Sequence, residues 1–341
     1  MATTFKNLSP NDVVSTRTLL NEAIPLTGTL FSGTYSDNNI KNYSHGMFQS
    51  VYDYPYLSSS ANHIVDMTMG YSSVSTLSGS GSTQNAKKIN VYNQMAQMLV
   101  GYDVTGSILR FDEDGNIAAG GNKLDEVLFF NFSRLLTKDE IKKGSFSASF
   151  MTGAYSNPSA GTLFTINDDG AQNDYRINSP AGEYGVLYRE GTTLPYGLIY
   201  YQAGIAVVSS SVFKNAFYGP SVPDAAAAVR DTVLSGSTIE TNMDILRRRI
   251  SNISFNNTTE LNSTVYFCRA SHNEFNYSAN PTYLSSSKMV VKNTSTDMPA
   301  SYITTVGLYS ADNELLAVAK TSEPLKKDPT NELTLRVRLD Y

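Results

Sequence analysis

The chain has no tryptophan, one cysteine and three histidines in 341 residues. A lone cysteine, Cys268, closes no intrachain disulfide and builds no thiolate metal cluster, which fits folding in a reducing cytosol. His45, His63 and His272 fall in no His-Glu-x-x-His or comparable ligand spacing, so no metal or cofactor is expected. No stretch approaches the ~18 consecutive apolar residues of a membrane span, and "MATTFKNLSPND" lacks the basic start and apolar run of a secretory leader. A soluble protein is expected. Charge is sparse as well: 17% of residues are charged and the net charge is -5. Basic residues gather only at "LRRR" (Leu246–Arg249) and "LKK" (Leu325–Lys327). Neither nucleic acid nor an anionic membrane is therefore a favoured partner, and those arginines are expected to be solvated or at an interface.

What is abundant points elsewhere. There are 22 tyrosines and 15 phenylalanines, spaced by Ser, Thr and Asn, and 41% of residues are hydrophobic. That is enough apolar material for at least two cores, and the mixture is the texture of β-structure with large contact surfaces. Tyrosine is broad, apolar and polar-tipped, and interfaces enrich it.

Along the chain, Ser9, Pro10 and Asp12 carry helix-start signals, and Val13, Val14, Leu19 and Leu20 supply an apolar side, so a helix ended by Pro25 is predicted. Residues 28–81 are aromatic yet rich in Ser and Gly and lack a period. They read as an extended arm ordered against other surfaces, with Tyr52, Tyr54 and Tyr56 as its contact side chains, or equally as an ordered loop packed on its own domain with those tyrosines in its core. "NAKKINVYNQMAQMLVG" (Asn85–Gly101) places Ile89, Tyr92, Met95 and Leu99 on one helical face with Gly101 as cap. Short strands continue from there to about residue 222, interrupted at "TKDEIKKG" by one short helix with a Thr137–Glu140 capping box and Gly144 as its stop. A helical pair spans 223–253, with Asp224 as first N-cap and Ile239, Leu246, Ile250 and Ile253 lining its second member. Strands return over 254–341. The expected fold is mainly β with α, two β-sandwich-like domains (85–222 and 254–341) joined by the helical pair, preceded by an N-terminal helix and arm (1–84). In "LTLRVRLDY", Leu333, Leu335, Val337, Leu339 and Tyr341 share one face, so that strand needs a sheet to lie on, and "VGLYSADNELLAVAK" is its natural neighbour.

The search for chemistry is mostly negative. "RFDEDGN" resembles a calcium loop, but Arg110 and Gly121 occupy the two anchoring positions, which leaves an acidic turn. Asp168–Asp169 could serve a glycosidase, yet Asp-Asp-Gly is first a turn signature. Cys268 has His272 four residues on. The alternation of Val265 and Phe267 puts it on the opposite face, as a small buried thiol. No catalytic residue is assigned and an enzyme is not expected.

At "SYITTVGLYSADNELLAVAK" (Ser301–Lys320) the chain resembles a segment recurring in virion structural proteins of contractile-tailed bacteriophages, including baseplate components and the attachment domains of tail fibres. "DEVLFFNFSRLLTKDEIKKGSF", "INSPAGEYGVLY", "GLIYYQAGIAVV" and "SNISFNNTTELNSTVYFCRASHNEFNYSANPTYL" also look like stretches of structural proteins from large tailed phages. Together the resemblance covers roughly Val127–Tyr341. It implies a virion protein of the tail, made in the host cytoplasm and most simply a baseplate subunit, whose partners are other tail proteins and copies of itself. A neck, collar or fibre-attachment protein is the alternative. A carbohydrate-binding module is the rival of another class, which would bring host glycans into contact with the chain. Interface residues expected in the last segment are Tyr302, Leu308, Tyr309, Leu315, Leu316 and Val318. For each of them burial in the domain's own core is the competing reading, and for the leucines and Val318 it is the stronger one.

Overall fold

The computed structural model describes residues 5–27, 37–117, 120–153, 157–213, 229–278, 280–286, 288–289 and 300–341. It is mainly β, with four α-helices among the described residues. The chain forms two compact units, residues 20–259 and residues 1–19 with 260–341. The boundaries fall inside two long strands, β1 (Val13–Thr27) and a strand at Ile250–Ala270, while the helical pair lies within the larger unit.

The larger unit is built on one antiparallel sheet. Its strands are β2 (Ile40–Asn42), β3 (Gln49–Tyr52), β4 (His63–Tyr71), β5 (Glu126–Phe132), β6 (Glu140–Ile141), β7 (Ser147–Met151), β8 (Leu163–Asn167), β9 (Arg176–Ser179), β10 (Gly182–Arg189), β11 (Pro195–Tyr200), β12 (Ile205–Ser209) and β13 (Ile250–Ala270). From β13 the order runs β7-β8-β10-β11-β12-β5-β4-β3-β2, with β6 beside β13 and β9 beside β10. The middle strands are buried on both faces, which explains runs such as Val127–Phe130 and Ile205–Val208 that show no alternation. Aromatic rings fill this core: Phe132, Phe146 and Phe255 form one group, and Phe130, Phe150 and Phe213 another.

The predicted helix α1 (Asn85–Leu99) is present, buries Tyr92 and Leu99, and ends with Gly101 at φ +91° donating to Ala96. It lies so close on β4 that a Cβ at Gly70 would sit 2.8 Å from the Lys88 carbonyl oxygen. Lys88 itself points inward and is fully buried, its ammonium donating to the Leu234 and Ser237 carbonyls at 2.6 and 2.8 Å. The short helix expected to begin at Thr137 ends there instead: a one-turn α2 (Arg134–Thr137), capped by the Ser133 hydroxyl, precedes β6, and Glu140 lies in that strand. Helices α3 (Val229–Gly236) and α4 (Ile239–Arg249) realise the helical pair, and Asp224 lies outside the described residues. Ile250 and Ile253, expected on the second helix, instead open β13. Arg247 and Arg249 are not solvated: both are buried, and Arg249 donates to the Met151 and Gly153 carbonyls.

Two further expectations change. The N-terminal helix does not form. Pro10–Asp12 make one 3-10 turn, with the Asp12 carboxylate accepting from the Ser9 N–H and hydroxyl, and the chain then extends as β1. The helix-start signals thus produce a single turn, because Val13, Val14, Thr16 and Thr18 favour extended backbone and β13 offers a partner. Residues 40–71 are likewise no arm. They form β2–β4, with Val65, Met67, Met69 and Tyr71 buried and β4 paired with β5 along its length.

The smaller unit holds the ends of β1 and β13, a two-stranded pair β14 (Leu284–Ser285) and β15 (Lys288–Met289), the hairpin β16 (Ser301–Tyr309) and β17 (Leu315–Lys327), and β18 (Leu333–Asp340). β18 lies on β13 and not on the hairpin: Ala270, Cys268, Tyr266 and Thr264 stand opposite Leu333, Leu335, Val337 and Leu339. The alternation of the two strands matches, so one apolar face is shared.

Candidate interaction surfaces

The smaller unit has long strands and almost no core. Among its described residues only Ala270 and Val337 are buried hydrophobics, and the continuous hydrophobic core runs from Leu26 to Phe255, entirely within the larger unit. What ties the smaller unit together is polar. Lys327 is fully buried and donates to Asn276 Oδ1 at 2.7 Å and the Asp328 carbonyl at 3.0 Å, while the Ser301 hydroxyl donates to the Phe275 carbonyl at 2.6 Å. Asp12 with Arg269, Lys6 with Glu274, and Arg17 with Glu260 add ion pairs.

The hairpin carries the expected contact residues, and their exposure bears on the competing reading of burial in the core. Leu316 is 68% exposed, Val318 54%, Leu315 53% and Tyr309 45%, whereas Tyr302 and Leu308 are half-buried. The core reading therefore fails for Leu315, Leu316 and Val318. Tyr309 stands opposite Leu315 and Gly307 opposite Val318, and both Tyr309 and Leu315 lean over Gly307, where an added Cβ would meet the tyrosine ring at 2.9 Å. Phe5 completes this patch, its ring edge-on to Tyr309 at 4.9 Å. Phe5 was not found from sequence, since nothing local signals a contact between residues so far apart in the chain. The register shifts between Leu308 and Tyr309, which leaves Leu316 without a residue opposite it, as in a β-bulge.

At the base of the same hairpin, Ser278, Asn280, Tyr283, Tyr302, Thr304 and Pro324 line a cleft of about 480 Å³ without a charged side chain. The two tyrosine rings are 6.3 Å apart and inclined at 54°.

The three tyrosines expected on an arm lie in the larger unit, around β3. Tyr54 and Tyr56 are exposed and Tyr52 is half-buried, with Tyr52 6.4 Å from Tyr56 and 5.5 Å from the His63 ring. Beside them Asp66 Oδ1 takes both the Ser50 hydroxyl and His63 Nε2. A nucleophilic serine needs the histidine between it and the carboxylate, and here the carboxylate is in the middle, so Ser50 has no base.

The remaining candidates are accounted for by structure. Asp168 is buried and accepts from the Gly144 and Phe146 N–H groups at 2.8 Å and from the Tyr201 hydroxyl at 3.1 Å, a clamp across three segments. Burial raises its carboxyl above the usual range against those bonds. Asp112, in the acidic turn, pairs with Lys123. Cys268 is half-buried with its thiol pushed up by burial, the opposite of an activated nucleophile, and His272 pairs with Glu332. Among the described residues no helix is long and apolar enough to cross a membrane. Comparison with protein-family models, curated proteins and solved structures finds no match.

Proposed function

We propose that this chain is a structural subunit of a contractile bacteriophage tail, specifically a baseplate subunit that holds its neighbours through β-rich interfaces. The observation that carries the assembly part is the smaller unit, whose long strands keep Leu315, Leu316, Val318 and Tyr309 outside while only two hydrophobic side chains are buried among its described residues. Long strands ordered around so little apolar burial gain their stability when a neighbour covers them. The tail part is supported by the resemblance of Val127–Tyr341 to virion proteins, most of all at Ser301–Lys320. The work of such a subunit is mechanical: it fixes its neighbours in one arrangement and lets the interfaces shift when the tail contracts. Mass spectrometry of purified particles tests this. The protein is expected at a copy number divisible by three or six, and its absence from the particle would end the reading. Placement in a map of the tail separates a baseplate from a neck, collar or fibre-attachment position.

One observation favours a second reading. The cleft at the hairpin base offers two tyrosine faces with hydroxyl and amide groups and no charge, the chemistry that stacks on and hydrogen-bonds a neutral saccharide. A glycan array probed with the purified protein decides it, and a blank array rejects it.

A further inference from the structure

The cleft at the base of the hairpin lies where the pairing of β16 with β17 is interrupted. Ile303 stands opposite Leu325 and Thr305 opposite Lys320, so residues 321–324 face Thr304 alone and the two strands part there. Tyr302 and Thr304 of β16 and Pro324 of β17 line the cleft from the hairpin, and Ser278, Asn280 and Tyr283 line it from the segment before β14. Its volume of about 480 Å³ falls in the range of roughly 300–1,000 Å³ in which proteins hold small ligands.

The hydrogen-bonding groups left over in this lining set the chemistry of a ligand. Asn280 caps the single 3-10 turn Pro281–Tyr283, its Oδ1 accepting from the Thr282 N–H at 3.1 Å, and that bond fixes which way the amide points. Ser278 Oγ in turn accepts from the Asn280 N–H at 3.3 Å. Among the described residues nothing receives the Asn280 Nδ2 hydrogens or the Ser278 hydroxyl hydrogen, so both side chains have donors to offer. Those donors call for an acceptor oxygen. No cation lines the cleft, so a carboxylate would lie there without a counter-charge, and the oxygen called for is a neutral one. Beside the donors, the Tyr283 and Tyr302 rings, 6.3 Å apart and inclined at 54°, open an apolar wedge. A carbonyl oxygen next to a small apolar group satisfies both features.

We infer that the cleft recognises the acetamido group of an N-acetylhexosamine. The carbonyl oxygen accepts from Asn280 Nδ2 and the Ser278 hydroxyl, the methyl enters the wedge between the two tyrosines, and Thr304 and Pro324 support the sugar ring. A plain hexose leaves the wedge empty and the amide donors poorly matched. This deepens the saccharide reading of the same cleft, and rests on it.

Calorimetry and ligand-observed saturation-transfer NMR of the full chain with triacetylchitotriose, with cellotriose and with Nε-acetyl-lysine amide test the assignment. Triacetylchitotriose is expected to bind with a Kd of about 0.1–1 mM and to take its strongest saturation at the acetyl methyls, and cellotriose to bind at least about tenfold more weakly. Asn280→Asp keeps the oxygen that caps the turn and removes the donating amide, so it should weaken triacetylchitotriose at least about tenfold with far-UV circular dichroism unchanged. Tyr302→Ala should abolish binding. Equal affinity for the two trisaccharides, or an Asn280→Asp chain that binds as wild type does, overturns the acetamido assignment and leaves the saccharide reading in place. Tighter binding of the acetylated lysine than of either trisaccharide overturns it in favour of a peptide, and binding of none of the three removes both readings.

Discussion

Lys88 offers the sharpest prediction for the larger unit. Its ammonium is fully buried between α1 and the end of α3, 5.8 Å over the Tyr71 ring, and burial pushes it from the ordinary 10.5 down to about 8. A depression of that size corresponds to about 3 kcal/mol of cost for holding the charged form in the folded state. The two carbonyl bonds, worth about 1–2 kcal/mol each, oppose that cost and help keep the group protonated at pH 7. The folded value lies below the unfolded one, so between about pH 8 and pH 10.5 the unfolded chain binds the proton that the folded chain has released, and stability rises with pH. Lys88→Met keeps the length of the side chain and removes the titration. Urea unfolding of both proteins at several values between about pH 7 and pH 10.5 is the assay. The stability of wild type relative to the variant should increase across that window by up to about 3 kcal/mol. Parallel curves would refute the reasoning, because they would mean that water reaches the ammonium or that the carbonyls offset its burial completely.

The contrast between the units supplies two other predictions. Phe130, 1% exposed and packed on Phe150, should cost about 3–5 kcal/mol when changed to Ala, whereas Leu316→Ala should alter the stability of dilute protein by no more than about 0.5 kcal/mol. Chemical denaturation reads both. Asp328, in the turn between β17 and β18, is held down to about 2 by the Thr330 hydroxyl and N–H and by Lys326. Its bonds therefore stabilise the folded turn above the ordinary carboxylate value of 3.8 and are lost as pH falls towards 2, a step that Asp328→Asn should remove from an NMR acid titration of Thr330 and Asn331.

How much was legible in the sequence depends on which force fixed each element. Helix α1 was visible because its apolar period and Gly101 cap act locally, and β5, β11 and β12 because buried strands need continuous apolar runs. β1 was misread because Ser9, Pro10 and Asp12 do form a local turn, while the extended backbone after Asp12 is set by a distant partner strand, where Ser15 meets Thr264 across 249 residues of sequence. β2–β4 hid in a Ser- and Gly-rich stretch for the same reason: their burial comes from β5 and α1, not from their own pattern. β13 ran unseen from Ile250 through the polar "NNTTELNST", whose side chains bond across to neighbours, as Asn257 Nδ2 does to the Leu136 carbonyl. At the candidate surface, the β-prone pattern on either side of the Ser310–Asn313 turn put Tyr309, Leu315 and Val318 on strands, as they are. It could not say whether their face was covered, since covering is a property of the whole chain and its neighbours.

Hydrogen exchange in dilute and concentrated protein tests the assembly claim most directly. If the strands of the smaller unit are completed by a neighbour, amides of β16, β17 and β18 should exchange far faster than those of β4 and β5 in dilute solution. Protection of β16–β18 equal to that of β4 and β5 at every concentration would show that the smaller unit is stable alone, and would contradict the account.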